Sequence, residues 1–130
     1  MHQSYVGLLI LVGLGGFLGS GTRFALSGLV HRLVPYGMFP WGTLSVNVVG
    51  CLAIGFLGGF LELRQMLGPG QRLFLLIGFL GGFTTFSTFA FETLGLAQDS
   101  ELWKAGLNVM AHVVMGLAAA WLGYVGAQSL

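Results

Sequence analysis

Charged side chains are scarce in this sequence. Only 7% of its 130 residues are Asp, Glu, Lys or Arg, whereas 55% are hydrophobic. A soluble domain normally carries about 25% charged residues, so too little charge is present to cover a water-facing surface. The net charge of +1 gives neither the basic footprint of a nucleic-acid-binding protein nor an acidic tail. The composition therefore predicts an integral membrane protein with no nucleic-acid partner.

Cysteine is almost absent, and the residues of common enzyme sites are not grouped. The single cysteine, Cys51, cannot form an intrachain disulfide, and no Cys/His cluster has metal-ligand spacing. The serines lack a positioned base, and Cys51 has no neighbour in sequence that would activate it. GLGGFLGSG resembles a glycine-rich nucleotide loop, but it lies inside an apolar run and indicates helix packing. We expect no enzyme and no nucleotide.

Long apolar runs, in contrast, occupy most of the chain. A transmembrane helix needs about 20 apolar residues. The connectors between the apolar runs are short. The sequence therefore predicts an all-α integral membrane protein with one four-span domain covering 1–130. Its transmembrane helices are expected at about 5–29, 41–61, 73–96 and 102–125.

The lysines and arginines are balanced across the predicted membrane. Arg64 and Arg72 share one side with both termini, whereas Arg32 and Lys104 lie on the other, and Arg23 falls in the last turns of the first span. The bias of these residues normally sets orientation. So close a balance favours insertion in both directions and an antiparallel, dual-topology homodimer. The alternative is a fixed orientation set by one residue, such as Arg23 or Arg32.

Polar side chains inside the spans are costly and usually face protein or water. Asn47 and Thr43 are four residues apart and share one face of the second span. Asn47 either bonds to another helix or lines a permeation route. Arg23 either extends to the membrane interface or places a positive charge in a vestibule that attracts anions.

The carboxylates all lie near predicted span ends or in loops, at Glu62, Glu92, Asp99 and Glu101. The sequence therefore offers no mid-membrane Glu or Asp for proton- or cation-coupled exchange. In the fourth span, Asn108 and His112 share a face. We expect this pair to be structural or to lie in a vestibule.

The third span contains the most unusual stretch, GFLGGFTTFSTFAFE, from Gly78 to Glu92. Gly81 and Gly82 weaken the helix, and the Thr84 and Thr85 hydroxyls compete for its backbone groups. We predict that the third helix is broken near Gly81–Thr85. The freed carbonyls would suit a hard cation such as sodium. A packed glycine kink without an ion is the alternative.

Beyond the break, phenylalanine recurs every third residue at Phe83, Phe86 and Phe89, with Ser87 and Thr88 between them. Such a stripe commonly faces lipid or the protein core. A phenyl ring also has a positive edge, which can accept a small anion while hydroxyl groups donate hydrogen bonds. Both readings of the stripe are compatible with the spacing.

Three strings, GSGTRFALSG, FPWGTLSVNVVGC and GGFTTFSTFAFE, resemble the Fluc (CrcB) family of small fluoride channels. The resemblance covers the whole chain in length, four-span layout and motif order. It implies an antiparallel homodimer with two fluoride pores in a lipid bilayer, the inner membrane of a bacterial cell. It also implies passive export of fluoride from the cytoplasm and protection from fluoride toxicity.

The same resemblance assigns residues to the fluoride pathway. Phe86 and Phe89 correspond to two pore phenylalanines whose ring edges face the ion. Asn47 corresponds to a pore asparagine of the second span, and Arg23 to a vestibule arginine of the first.

Further positions complete the expected pathway. Ser87 and Thr88 would continue the polar track, and Thr43 belongs to the same pathway on the Asn47 face. By resemblance, the backbone carbonyls of Gly81 and Thr84 would ligate a structural sodium ion at the dimer centre.

The fourth span departs from the pattern that the resemblance implies, which has small hydroxyl residues along the pore. This chain offers Asn108, His112 and Gly116 there.

Two other functions fit the size and span count. A small dual-topology multidrug-type exporter would need a carboxylate within the first span, and residues 5–29 contain none. A non-transporting membrane packing subunit would leave the alternating phenylalanine and hydroxyl residues without a purpose. Ion flux through the purified protein distinguishes both from a channel.

Overall fold

The computed structural model describes residues 4–34, 37–64 and 67–130, apart from the side chain of Leu63. Every regular element in this part of the chain is helical. The elements are α1 (Tyr5–Leu33), α2 (Trp41–Arg64), α3 (Pro69–Arg72), a π-helical segment (Leu73–Leu80), α4 (Gly81–Phe83), α5 (Phe86–Gln98) and α6 (Leu102–Gln128).

Within these ranges, four helices are long and apolar enough to cross a membrane, at Tyr5–Leu33, Trp41–Glu62, Pro69–Gln98 and Leu102–Gln128. The prediction of an all-helical, four-span protein is confirmed. Large apolar side chains are exposed along the spans, among them Phe24, which is 84% exposed. An apolar surface of this kind suits lipid and would be unstable in water. The protein is a multi-pass membrane protein.

The helices pack closely through glycine. α2 packs against α6, and a Cβ atom added at Gly55 or Gly123 would collide with the backbone of the opposite helix. α1 packs in the same way against the third span, where Gly19 and Gly78 leave no room for a Cβ atom. Glycine at these positions lets the backbones approach and gain van der Waals contact, which helix association in lipid requires.

The third span changes its winding before it breaks. Leu73–Leu80 is a π-helix, in which hydrogen bonds reach one residue further than in an α-helix. The sequence analysis did not find this segment, because its run of large apolar residues suits either winding. π-helical turns often lie beside functional sites, and here the segment leads directly into the break.

The third helix is broken within the predicted range Gly81–Thr85, at its last two residues. Gly81 and Gly82 are helical, whereas Thr84 and Thr85 have extended backbone, with φ/ψ of −83°/158° and −151°/114°. Gly82 is used for packing, since a Cβ atom there would meet the backbone of Gly16. The two threonines, and not the two glycines, therefore form the break.

Candidate ion-permeation site

Asn47 of α2 holds the broken backbone of the third span. Its side-chain Nδ2 donates to the carbonyl oxygen of Thr85 over 3.0 Å, and its Oδ1 accepts from the Thr85 amide over 2.9 Å. In a continuous helix that amide would donate to the carbonyl of Gly81. The asparagine therefore replaces the hydrogen bonds that the break removes, as non-helical backbone at membrane depth requires.

Asn47 keeps some hydrogen-bonding capacity after this pairing. A carboxamide nitrogen carries two hydrogens, and one suffices for the bond to Thr85. Asn47 also lines a cavity. The interhelical bond is therefore observed, and the position of Asn47 on a permeation route stays a prediction.

Thr85 begins α5 with a cluster of hydroxyl groups. Its Oγ1 accepts from the Thr88 amide over 3.2 Å, which caps the helix, and donates to Thr88 Oγ1 over 2.9 Å. The hydroxyl of Ser87 lies 3.4 Å from the same Oγ1. Thr84 is held differently, since its hydroxyl donates back to the carbonyl of Leu80. Sequence reasoning placed Thr85 in the break but missed its role as the helix cap.

One cavity, which we call the inner cavity, opens beside the break with a volume of about 390 Å³. Its wall combines the break with α2 and α6, and no Asp, Glu, Lys or Arg among the described residues lines it. The residues that bear on its chemistry are Asn47, Cys51, Thr84, Thr85, Phe86 and His112. The inner cavity is therefore polar at several points and free of acidic or strongly basic side chains.

A second cavity, the Arg23 groove, has a volume of about 410 Å³ and is bounded by α1, α2 and α5. It does contain charge, since Arg23 and Glu92 both line it. Hydroxyl groups from all three helices complete its wall, at Ser20, Ser27, Thr43, Thr85 and Thr88. Thr85 lines both cavities, which places the break between them.

Glu92 belongs to this groove rather than to a helix end. Helix α5 continues to Gln98, and Glu92 Oε1 accepts a hydrogen bond of 2.8 Å from the Thr43 hydroxyl. Its Oε2 is buried and has no hydrogen-bond partner among the described residues. The sequence analysis treated Glu92 as one of the carboxylates near span ends. The residue lies four positions after Thr88, and this spacing could have indicated the shared face.

An aromatic row connects the inner cavity with α6. The ring centroids of Phe86 and Phe89 are 5.5 Å apart, and those of Phe89 and His112 are 4.3 Å apart. Phe86 is 78% exposed and lines the inner cavity. Phe83 is buried and stacks on Phe79. The phenylalanines at every third residue therefore do not share one environment, because Phe83 lies in the core and Phe86 at the surface.

The structure distributes the remaining sequence-derived positions over the two cavities. Gly81 and Thr84 line the inner cavity, whereas Arg23, Thr43 and Thr88 line the groove. Phe89 and Ser87 line neither cavity and reach the site only through the contacts given above.

The break also bears on the expected sodium site. Backbone carbonyl oxygens are suitable ligands for a hard cation. Because the Thr85 amide donates to Asn47, the Gly81 carbonyl is released from its usual helical bond. Within the described ranges, no group of three or more His, Cys, Asp or Glu residues could hold a metal ion.

On α6, Asn108 and His112 have different roles. Asn108 is 0% exposed, and its Nδ2 donates to the Thr93 hydroxyl over 2.9 Å, which ties α6 to α5. His112 contacts its own helix, with Nδ1 lying 3.0 Å from the Asn108 carbonyl oxygen, and its ring lines the inner cavity. Asn108 therefore has the expected structural role, whereas His112 lies at a cavity, and its place in a vestibule stays a prediction.

Fold and site together define a small four-span membrane protein with a broken third span and two polar cavities that meet at the break. Residues 10–124 match the model of one protein family, the CrcB-like proteins, described as Camphor Resistance (CrcB). The chain belongs to this family.

Relatives in this family carry a more specific description. The chain is 50% identical over 115 residues to the fluoride-specific ion channel FluC of Nitratidesulfovibrio vulgaris, covering 88% of this chain and 92% of that relative. It is 48% identical over 126 residues to the protein of the same description from Opitutus terrae, covering 95% of this chain and 94% of the relative. Both are named as channels and neither as an enzyme, which supports the prediction of a non-enzymatic protein.

Proposed function

We propose that this protein is a fluoride channel that lets fluoride leave the cytoplasm passively and so protects the cell from it. The observation that carries the proposal is the pairing of Asn47 with the broken backbone at Thr85, between two polar cavities. A packing subunit has no need to open the third span and line the opening with polar groups. The description of the relatives as fluoride-specific channels supports the choice of ion.

The inner cavity would replace the hydration of the anion without holding it too tightly. The remaining N–H of Asn47 can donate a hydrogen bond, and the edges of the Phe86 and Phe89 rings are weakly positive. In the part of the chain that the structure describes, no Lys or Arg lines this cavity. Conduction requires binding that is weak enough for the ion to leave, and several partial contacts meet that need better than a full positive charge.

The Arg23 groove would act as the approach to this cavity. The guanidinium of Arg23 raises the local concentration of anions. Thr88 and Ser87 offer hydroxyl groups near the break. The single hydroxyl hydrogen of Thr43 points at Glu92, so Thr43 contributes to anion binding only when that bond opens.

The working unit in this proposal is an antiparallel homodimer with two pores, in the inner membrane of a bacterial cell. The carbonyl oxygens of Gly81 and Thr84 would hold a structural sodium ion at the dimer centre. Its charge would stabilise backbone oxygens that the break deprives of helical partners. Balanced Lys and Arg residues on the two sides support dual insertion.

A multidrug-type exporter fits the site less well. Neither the predicted first span nor α1 contains a carboxylate, and Glu92, in the third span, is already bonded to Thr43.

Fluoride efflux from proteoliposomes loaded with potassium fluoride tests the proposal. The purified protein alone should release fluoride once a potassium ionophore allows charge balance, and vesicles loaded with potassium chloride should retain their anion. Equal release of the two anions would contradict the selectivity. Absence of fluoride release from vesicles that contain folded protein would contradict the channel function.

A further inference from the structure

Among the described residues, His112 is the one ionisable ring on the wall of the inner cavity. Its hydrogen-bonding state follows from its contacts. Nδ1 lies 3.0 Å from the carbonyl oxygen of Asn108. A carbonyl oxygen can only accept, so Nδ1 carries the hydrogen, and in the neutral ring Nε2 then has a lone pair and no hydrogen. Nε2 is buried and has no hydrogen-bond partner among the described residues.

The neutral and the protonated His112 ring act in opposite ways on an anion in the cavity. The Nε2 lone pair of the neutral ring repels an anion in the cavity. When Nε2 takes a proton from water, it becomes an N–H donor on a positively charged ring. A buried cation requires an anionic partner, and no carboxylate of the described residues lines the inner cavity. The conducted anion is the partner that remains.

We propose that His112 makes anion binding in the inner cavity dependent on acid, because protonation of Nε2 converts a repelling lone pair into a donor for the anion. The inference rests on the proposed function for the identity of the anion, fluoride. By reciprocal linkage, a proton on Nε2 strengthens fluoride binding and bound fluoride strengthens proton binding by the same factor. His112 then adjusts the affinity of the inner cavity for its anion according to pH.

The contact with Phe89 stabilises the protonated form of the His112 ring. The centroid of the Phe89 ring lies 4.3 Å from that of His112. Contact between an aromatic ring and an imidazolium is favourable through the cation–π interaction. Phe89 therefore favours the same protonated state that an anion favours, and it connects His112 to Phe86.

Other ionisable groups packed against α6 do not compete for this role. α2 carries Cys51, Glu62 and Arg64, of which only Cys51 lines the inner cavity, and its thiol is neutral in acid. α5 carries Glu92, whose Oε1 accepts from Thr43 and which lines the Arg23 groove. α6 itself adds Lys104 and Tyr124 near its two ends.

Fluoride currents in planar bilayers test the inference, because a current measures the anion and not neutral HF that crosses the lipid. Lowering the pH from about 8 to about 5, the range in which imidazole changes charge, should lower the half-saturating fluoride concentration of the unmodified protein about fivefold or more. His112→Gln should remove most of this shift. His31→Gln is the matched control, since His31 is exposed in the last turn of α1, and it should keep the full shift.

A shift of equal size in His112→Gln would overturn the inference and leave the channel function intact, as would a pH-independent fluoride current in the unmodified protein. Absence of any fluoride current would overturn the proposed function, and this inference with it. If His112→Gln does not fold, NMR titration of the unmodified protein decides. Fluoride should raise the proton affinity of His112 and leave that of His31 unchanged, and an unchanged His112 overturns the inference.

Discussion

The two cavities differ in charge although they share Thr85. Among the described residues, the inner cavity presents an amide, hydroxyl groups, the ring of Phe86 and one imidazole, without Asp, Glu, Lys or Arg. The Arg23 groove presents a guanidinium and a carboxylate. Full charges attract or repel ions over a distance, whereas the inner cavity offers only short-range contacts that an ion must fit. The difference suggests that the groove governs the approach of an anion and the inner cavity governs its selection.

The largest effect is expected at the residue that maintains both cavities. Asn47→Ala removes both bonds to Thr85 and leaves a backbone amide and a carbonyl unpaired. We expect loss of measurable fluoride efflux and a reduction of the unfolding free energy by about 2–4 kcal/mol. Efflux from proteoliposomes and thermal unfolding in detergent measure the two effects.

Asn108→Ala is the matched control for that change, because the side-chain amide of Asn108 also joins two helices but bonds to Thr93. It should destabilise the protein while efflux per folded molecule persists. Normal efflux in Asn47→Ala would show that the Asn47–Thr85 pairing is not needed for conduction.

A smaller effect, confined to the inner cavity, is expected for Phe86→Ile. The substitution removes the ring edge but keeps an apolar side chain at a position that is 78% exposed. Fluoride current should fall about tenfold, which corresponds to about 1.4 kcal/mol, while thermal stability changes little. Phe91→Ile serves as the comparison, since Phe91 is 77% exposed on the same helix and lines neither cavity. Equal loss in both variants would remove the special role of the Phe86 ring.

Arg23→Gln should affect only the approach of fluoride to the inner cavity and not its selection there. We expect fluoride current to fall about threefold at low ionic strength and to recover as salt screens the charge, with a Debye length of about 10 Å at 0.1 M. Arg23→Lys keeps the charge and should conduct nearly as well as the unmodified protein. A loss in Arg23→Gln that does not change with salt would instead place Arg23 in the selecting part of the route.

The smallest effect is expected for Glu92→Gln. A glutamine oxygen can still accept from the Thr43 hydroxyl, so the groove keeps its shape while it loses a negative charge. Fluoride current at low salt should rise by about twofold or less, because less repulsion opposes the anion. The ratio of the fluoride current of Glu92→Gln to that of the unmodified protein, measured on the same day, is precise enough to show this rise. A strong loss of current would assign the Glu92 carboxylate a direct part in conduction.

Most of the fold could be predicted from hydrophobicity alone. The scarcity of charge and four long apolar runs specify helices in lipid, since only helices and closed barrels satisfy the backbone there. The location of the break within a few residues also followed from local chemistry. Local chemistry could not show that Thr84 and Thr85, rather than Gly81 and Gly82, form the break. The helical state of the glycines depends on the tertiary contact of Gly82 with Gly16 on another helix.

Site residues could be predicted from the sequence only where a polar residue interrupts an apolar span. Asn47 and Arg23 stand out as polar residues in apolar spans. The bond from Asn47 to the Thr85 backbone and the bond from Thr43 to Glu92 join residues 38 and 49 positions apart. No local pattern encodes contacts of this range. The free Nε2 of His112 likewise follows from side-chain geometry and not from its neighbours in sequence.

The reversal potential with fluoride on one side of a planar bilayer and chloride on the other tests the central proposal most directly. If the inner cavity selects the ion by short-range contacts, the purified protein should give a reversal potential that corresponds to a strong preference for fluoride. This preference should persist in Arg23→Gln, where only the size of the current changes. A reversal potential near zero, which would mean equal permeation of chloride, would contradict the proposal.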